Sequence, residues 1–241
     1  MRAWPRGLAG IALAAGLALS GCDAMPGKPR LADREKLPTE IMDFGTLYAR
    51  NCAGCHGADG TLGPSRPLND PVYLALVPRE RLRQVIAMGV PGTAQPALAI
   101  SAGGTLTDAQ IDALVRGLVE TWGRPEAVKN VALPAYDAKA DGGDAERGKA
   151  VYATACASCH GPDGRGGGPK GGAVTDPSYL SLVSDQYLRT TVIAGRTDLG
   201  MPDWRGVAAG QALSGAQISD VVAWLVSERR PVPGRPPSRT P

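Results

Sequence analysis

The five-residue pattern C-x-x-C-H occurs twice in the chain, and the two copies contain most of its reactive side chains. Both histidines of the 241 residues stand at the last position of a copy, and four of the five cysteines stand at the first and fourth positions. The residues concerned are Cys52, Cys55 and His56 in the first copy, and Cys156, Cys159 and His160 in the second. Any fold of this chain must therefore place two thiols beside one imidazole at two separate positions.

This pattern is the signature of covalent haem c attachment. The two thiols add to the two vinyl groups of haem, and the histidine that follows is placed to ligate the iron. Cysteines at this spacing also occur in zinc sites and thiol redox sites, so a four-cysteine zinc site and a pair of disulfides are the alternatives. The placement of both histidines favours two covalently attached haem c groups.

The segments around the two motifs match each other, which indicates a tandem duplication. The matching pairs are 48–52 with 152–156, 70–74 with 176–180, and 106–111 with 213–218. Each copy of the repeat carries one motif. We therefore predict two similar domains, at residues 41–122 and 144–229, joined by a linker at 123–143.

Each copy contains three segments with helical periodicity and no convincing strand, which predicts an all-α fold. The predicted helices are 41–52, 79–88 and one opening after Thr107 in the first copy, and 144–156, 185–194 and one opening after Ser214 in the second. Thr107 and Ser214 are typical N-caps, and Gly89 and Gly195 are typical C-caps.

Three helices around a covalent haem, with the motif in this order, resemble the class I cytochrome c domain. The resemblance implies two tandem class I cytochrome c domains, each with about three main helices wrapped around its haem. It also implies that the carbonyls of Pro64 and Pro169 accept the Nδ1 proton of the iron-ligating histidines, which orients the rings. Trp204 would cover the second haem; a core position is the alternative.

The sixth iron ligand differs between the copies. In this family a methionine after the second helix opposes the histidine, and Met201 in Gly200-Met201-Pro202 occupies that position in the second copy. The ungapped alignment places Gln95 there in the first copy. Four alternatives follow for the first iron: Met88, Gln95, water or an open site, and a ligand from a partner. We expect the first haem to have a lower potential or looser coordination than the second.

The N-terminus predicts a lipid anchor. Arg2 and Arg6 precede an apolar run at 8–19, which is too short to span a bilayer, and residues 19–22 read Leu-Ser-Gly-Cys, which resembles the bacterial lipobox. We predict a signal peptide at 1–21, acylation of Cys22, a tether at 22–40 and a disordered tail at 230–241. An ordinary signal peptide is the alternative.

The predicted location is the cell membrane, with the protein lipid-anchored and facing the periplasm or cell exterior. Asp23 after the acylated cysteine favours the inner membrane. With 26 Lys+Arg against 23 Asp+Glu, the charge is too balanced for a nucleic-acid partner.

The resemblance implies an electron carrier and not an enzyme. It would take single electrons from a quinol-oxidising complex of a respiratory or photosynthetic membrane and pass them to a terminal oxidase or another cytochrome, either as a free carrier or as a subunit of such a complex. The alternative is a haem enzyme or gas-binding subunit, in which a weakly ligated first haem receives electrons from the second.

Overall fold

The structure is a computed structural model, and it describes residues 27, 33–61, 66–139, 141–168, 171–207 and 211–231. The predicted signal peptide, Cys22, Pro64, Pro169 and most of the predicted tail lie outside the described residues. The chain divides into two compact units, Met1–Glu40 and Ile41–Pro241, and the second contains both motifs. No helix in the described part of the chain is both long enough and apolar enough to cross a membrane.

Ten α-helices occur in the described residues, five in each copy of the repeat. The first copy contains α1 (Phe44–Asn51), α2 (Ala53–His56), α3 (Pro71–Leu76), α4 (Arg79–Met88) and α5 (Asp108–Trp122). The second copy contains α6 (Ala145–Ala155), α7 (Ala157–His160), α8 (Pro177–Leu182), α9 (Asp185–Ala194) and α10 (Gly215–Ser227). Short 3-10 helices lie at Pro38–Glu40, Ile100–Ala102, Pro125–Val128 and Thr197–Leu199. Within the described ranges, β pairing is limited to two isolated bridges, so the predicted all-α fold is confirmed.

Side-chain caps determine where the first helix of each copy begins. The Asp43 carboxylate accepts the backbone N–H of Thr46 at 2.8 Å, and the Asp144 carboxylate accepts that of Arg147 at 2.8 Å. Because the N-cap residue itself is not helical, α1 and α6 start slightly later than predicted. The predicted bounds of α4 and α9 match the structure.

Helices α3 and α8 were not predicted from the sequence. Each begins at a proline that follows an aspartate, and the carboxylates of Asp70 and Asp176 accept the N–H of Tyr73 and Tyr179 at 2.7 and 2.9 Å. Proline fits the first helical position, where its missing N–H costs nothing. Six residues are too few to show a 3.6-residue period, so only the Asp-Pro pair could have indicated these helices.

A glycine allows the first and last helices of each copy to cross closely. In the second copy it is Gly148 on α6, where a Cβ would lie 1.9 Å from the Asp220 carbonyl oxygen on α10. In the first copy it is Gly117 on α5, where a Cβ would lie 2.1 Å from the Phe44 ring on α1. The glycine is therefore on the first helix in one copy and on the last helix in the other.

Each copy has its own apolar core, and α3 of the first copy contributes to the second core. Leu114 and Ile111 lie at the centre of the first core and are almost fully buried. Val72 and Leu76 of α3 belong to the cluster that contains Ile193 of the second copy. The two copies are therefore packed against each other within the unit Ile41–Pro241.

Candidate haem sites

The two motifs have the same local structure. In the first, α1 ends at Asn51, Cys52 follows, and α2 forms one turn in which the N–H groups of Cys55 and His56 donate to the Cys52 carbonyl at 3.1 and 2.9 Å. In the second, the corresponding distances to the carbonyl of Cys156 are 3.1 and 3.0 Å. This turn holds both thiols and the imidazole of each motif on one short segment.

A tyrosine fixes each motif to the helix that precedes it. The hydroxyl of Tyr48 donates to the carbonyl of Gly57 at 2.8 Å, and the hydroxyl of Tyr152 donates to that of Gly161 at 2.6 Å. Burial raises the pKa of both tyrosines to about 12, so each hydroxyl keeps its proton and remains a donor. The residue directly after each histidine is thereby held in place.

The thiols of both motifs are unpaired, so neither motif forms the disulfide considered above. Burial raises the pKa of Cys52 and of Cys156 to about 11, whereas the reactive cysteine of a thiol redox motif has a lowered pKa. Among the residues that the structure describes, no three His, Cys, Asp or Glu side chains are grouped so as to hold a metal ion. Free thiols next to an imidazole are what haem c attachment requires.

His56 is half-buried, and its imidazole favours the neutral form. Its Nδ1 is buried and has no hydrogen-bond partner among the described residues. Burial lowers the pKa of His56, and the Gln95 side chain, acting as an acceptor for the ring N–H, partly offsets this effect. The imidazole is therefore neutral near pH 7, which is the form that ligates a metal. Pro64, which we predict to accept the Nδ1 proton, lies outside the described residues.

His160 is oriented by a backbone carbonyl that the sequence did not indicate. Its Nδ1 lies 2.9 Å from the carbonyl oxygen of Gly172. The prediction gave this role to Pro169, which lies outside the described residues. Gly171 permits the approach, because a Cβ there would lie only 2.5 Å from the same Nδ1. The glycines of this loop were visible in the sequence, but nothing indicated which carbonyl would face the ring.

The loops that follow α4 and α9 are equivalent. The N–H of Val90 donates to the Gln95 carbonyl at 3.1 Å, and the N–H of Arg196 donates to the Met201 carbonyl at 3.0 Å. Both loops pass over a glycine with positive φ, and a Cβ at Gly195 would lie 2.6 Å from the Met201 carbonyl oxygen. Gln95 and Met201 therefore occupy the same point of the two loops.

Gln95 and Met88 differ in where they lie relative to the first motif. The Gln95 side chain lies close enough to the His56 imidazole to raise its pKa. Met88 is the last residue of α4, and its side chain is 58% exposed. The geometry therefore brings Gln95, and not Met88, to the imidazole in the described structure.

Trp204 lies in the core of the second copy and is only 2% exposed. Its backbone N–H donates to the Ile193 carbonyl at 2.9 Å, and its carbonyl accepts the N–H of Leu213 at 3.0 Å. The Arg205 guanidinium lies 4.9 Å from the centre of its ring. Contact of this indole with the second haem stays a prediction.

Comparison with known proteins places both motifs in one family. The family described as "Cytochrome C oxidase, cbb3-type, subunit III" matches residues 39–116 and 143–225, which include both motifs and both loops with Gln95 and Met201. The chain is 32% identical over 196 residues to the "Cbb3-type cytochrome c oxidase subunit CcoP" of Rubrivivax gelatinosus, a match that covers 78% of this chain and 55% of that protein.

Two further relatives are named as subunits of a cbb3-type oxidase and of a cytochrome bc1 complex. The "Cbb3-type cytochrome c oxidase subunit FixP" of Bradyrhizobium sp. (strain ORS 278) is 30% identical, over 73% of this chain and 60% of that protein. The "Cytochrome bc1 complex cytochrome c subunit" of Mycobacterium bovis (strain ATCC BAA-935 / AF2122/97) is 25% identical, over 82% of this chain and 67% of that protein. The chain spans little more than half the length of the first two relatives. The chain therefore belongs to the family of cbb3-type cytochrome c oxidase subunit III, and it carries two covalently bound haem c groups.

Proposed function

We propose that this protein carries single electrons between a respiratory complex and a terminal acceptor. The observation that carries this proposal is the presence of two equivalent motifs, each with free thiols and a neutral or oriented imidazole, within one compact unit. Haem c, when bound, supplies an iron that alternates between the ferric and ferrous states by one electron. The chain itself binds, orients and insulates that iron.

The residues divide this work in the same way in both copies. We assign the two thiols of each motif to covalent attachment of the haem and each histidine to ligation of its iron. Met201 is assigned to the second iron and Gln95 to the first, because both stand at the same point of equivalent loops and Gln95 lies close to His56. A thioether ligand fills the coordination sphere and favours electron transfer.

A lipid anchor at Cys22 remains part of the proposal. It would hold the protein at the outer face of the cytoplasmic membrane, where a respiratory complex can reach it. The names of the relatives, which are subunits of cbb3-type oxidases and of a bc1 complex, favour such complexes as electron donor or acceptor.

Gln95 also supports a second function for the first haem. An amide oxygen is a harder and weaker ligand for iron than a thioether, so a small molecule can replace it more easily. Carbon monoxide added to the reduced protein should therefore change the absorbance of one haem only. Turnover of peroxide in addition to this response would favour the haem enzyme over the carrier.

Potentiometric titration with absorbance and EPR tests the main proposal. We expect two one-electron steps, with the first haem at the lower potential, and a near-infrared charge-transfer band from methionine ligation of only one ferric haem. Two equal bands would contradict the assignment of Gln95. The absence of any such band would contradict that of Met201.

Removal of one motif should remove one haem. In the double variant Cys52→Ser/Cys55→Ser, we expect the denatured protein to lose the mass of one haem, because no thioether can form at the first motif. The matched variant Cys156→Ser/Cys159→Ser should lose the same mass, and combining all four substitutions should leave none. Mass spectrometry measures this without requiring that the variants fold. A full complement of haem in either double variant would contradict the assignment of its thiols.

A further inference from the structure

Arg66 of the first copy is buried against the second copy. Arg66 is only 6% exposed, and its guanidinium contacts the C-terminal end of α9. Nη1 donates to the carbonyl of Gly195 at 2.8 Å, and Nη2 donates to the carbonyl of Thr190 at 3.2 Å. Gly195 is the C-cap of α9 and Thr190 lies one turn before it, so the guanidinium stands at the C-terminal end of the helix, where a positive charge is favoured.

Gly195, whose carbonyl accepts one of these bonds, is the residue directly before the loop that contains Met201. Gly195 is followed by Arg196, whose N–H and carbonyl both pair with the backbone of Met201 at 3.0 Å. The Arg196 side chain is held in turn by Asp198, at 2.7 Å. The bond from Arg66 to Gly195 and the backbone pairing of Arg196 thus connect Arg66 to the residue that we assign to the second iron.

The backbone of Arg66 belongs to the first copy of the repeat. The residue lies in the loop between the first motif and α3, and its guanidinium stands 5.6 Å from the centre of the Tyr73 ring on α3. The buried Asp70 carboxylate, which caps α3, is near enough to stabilise the positive charge. Burial lowers the pKa of Arg66, but a guanidinium stays protonated in proteins.

We propose that Arg66 is a positioning residue through which the loop between the first motif and α3 holds the loop with Met201, so that methionine ligation at the second iron depends on the packing of the first copy against the second. Without Arg66, the buried Gly195 carbonyl loses its donor, the Thr190 carbonyl keeps only its bond within α9, and the start of the Met201 loop loses an anchor. This inference rests on the assignment of Met201 proposed above.

The variant Arg66→Met tests the proposal in the full-length holoprotein, because methionine keeps much of the side chain's length and removes its donors. The readout is the near-infrared methionine band of the ferric protein during denaturant titration, compared with far-ultraviolet circular dichroism. We expect the band to disappear before the helices unfold, and the ratio of methionine-ligated to methionine-free iron to fall about tenfold or more, since hydrogen bonds from charged groups contribute about that factor. The potential of the second haem should fall with it.

Arg116→Met is the matched control, since Arg116 is an exposed arginine on α5 of the same copy. In the denaturant titration, we expect the near-infrared methionine band and the helices of this control to be lost together, as in the unmodified protein. An Arg66→Met variant whose band, potential and unfolding match those of Arg116→Met would overturn the proposal. If Arg66→Met does not accumulate, Arg66→Lys decides: an intermediate loss of the band supports the proposal, and an unchanged band contradicts it. Absence of the band in the unmodified protein would instead contradict the assignment of Met201.

Discussion

Exchange of two residues should exchange the properties of the two haems: Gln95→Met should raise the potential of the first, and Met201→Gln should lower that of the second. The expected shifts are on the order of 0.1 V or more, within the range of roughly 0.8 V that axial ligands set. A thioether stabilises ferrous iron, whereas an amide oxygen is a hard donor that favours the ferric state. Gln95 and Met201 have equivalent backbone hydrogen bonds, so each side chain should be able to reach its iron.

Optical and EPR-monitored titration measures both shifts, and the near-infrared band shows which iron has a methionine. Gln95→Met should add a second band, and Met201→Gln should remove the original one. The matched control is Met88→Leu, which removes the methionine that is 58% exposed at the end of α4 and should change neither potential. Loss of a band in Met88→Leu would show that Met88, and not Gln95, ligates the first iron.

The parts of the site that lie within one short segment could be predicted from the sequence. The C-x-x-C-H motifs carry their chemistry in five consecutive residues, and α4 and α9 have a clear apolar period with a glycine at the end. The ungapped alignment placed Gln95 opposite Met201, and the two residues do occupy the same point of their loops.

Contacts between distant segments could not be predicted in this way. Arg66 and Gly195 are separated by 129 positions, and no local pattern links them. The carbonyl of Gly172 faces His160 because of how one glycine-rich loop folds back, which composition alone does not specify. The packing of α3 of the first copy into the second core likewise depends on tertiary structure, because an apolar helix face does not identify its partner.

The helix crossings predict the largest effects on stability. We expect Gly148→Ala to lower the free energy of unfolding by about 3 kcal/mol, at the upper end of the usual cost of overpacking. The new methyl group would meet the Asp220 carbonyl oxygen, which belongs to the backbone of α10 and cannot move aside alone. Helices α6 and α10 would have to separate. This would disturb the contact between the rings of Tyr152 and Trp224, whose centres lie 4.2 Å apart.

Gly117→Ala should also destabilise the protein, by roughly 1–3 kcal/mol, but for a different reason. Here the two nearest atoms belong to the Phe44 ring, which Phe44→Ala removes, so that of the three nearest atoms only the Phe44 Cβ, at 2.7 Å, remains. In Phe44→Ala/Gly117→Ala, the loss should therefore be clearly smaller than the sum of the two single losses. In Trp224→Ala/Gly148→Ala, the backbone contact with Asp220 remains, so the two losses should come closer to adding.

Equilibrium unfolding of the six variants in guanidinium chloride measures these differences. Gly45→Ala is the matched control: Gly45 lies on α1, its nearest neighbour would be an ordinary contact of 3.4 Å, and alanine is the better helix former. We expect this control to be neutral or to stabilise the protein by about 0.5–1 kcal/mol. Equal coupling in the two double-mutant cycles would contradict the assignment of a side-chain contact to one crossing and a backbone contact to the other. Unequal coupling would support a side-chain contact at the crossing of α1 with α5 and a backbone contact at the crossing of α6 with α10.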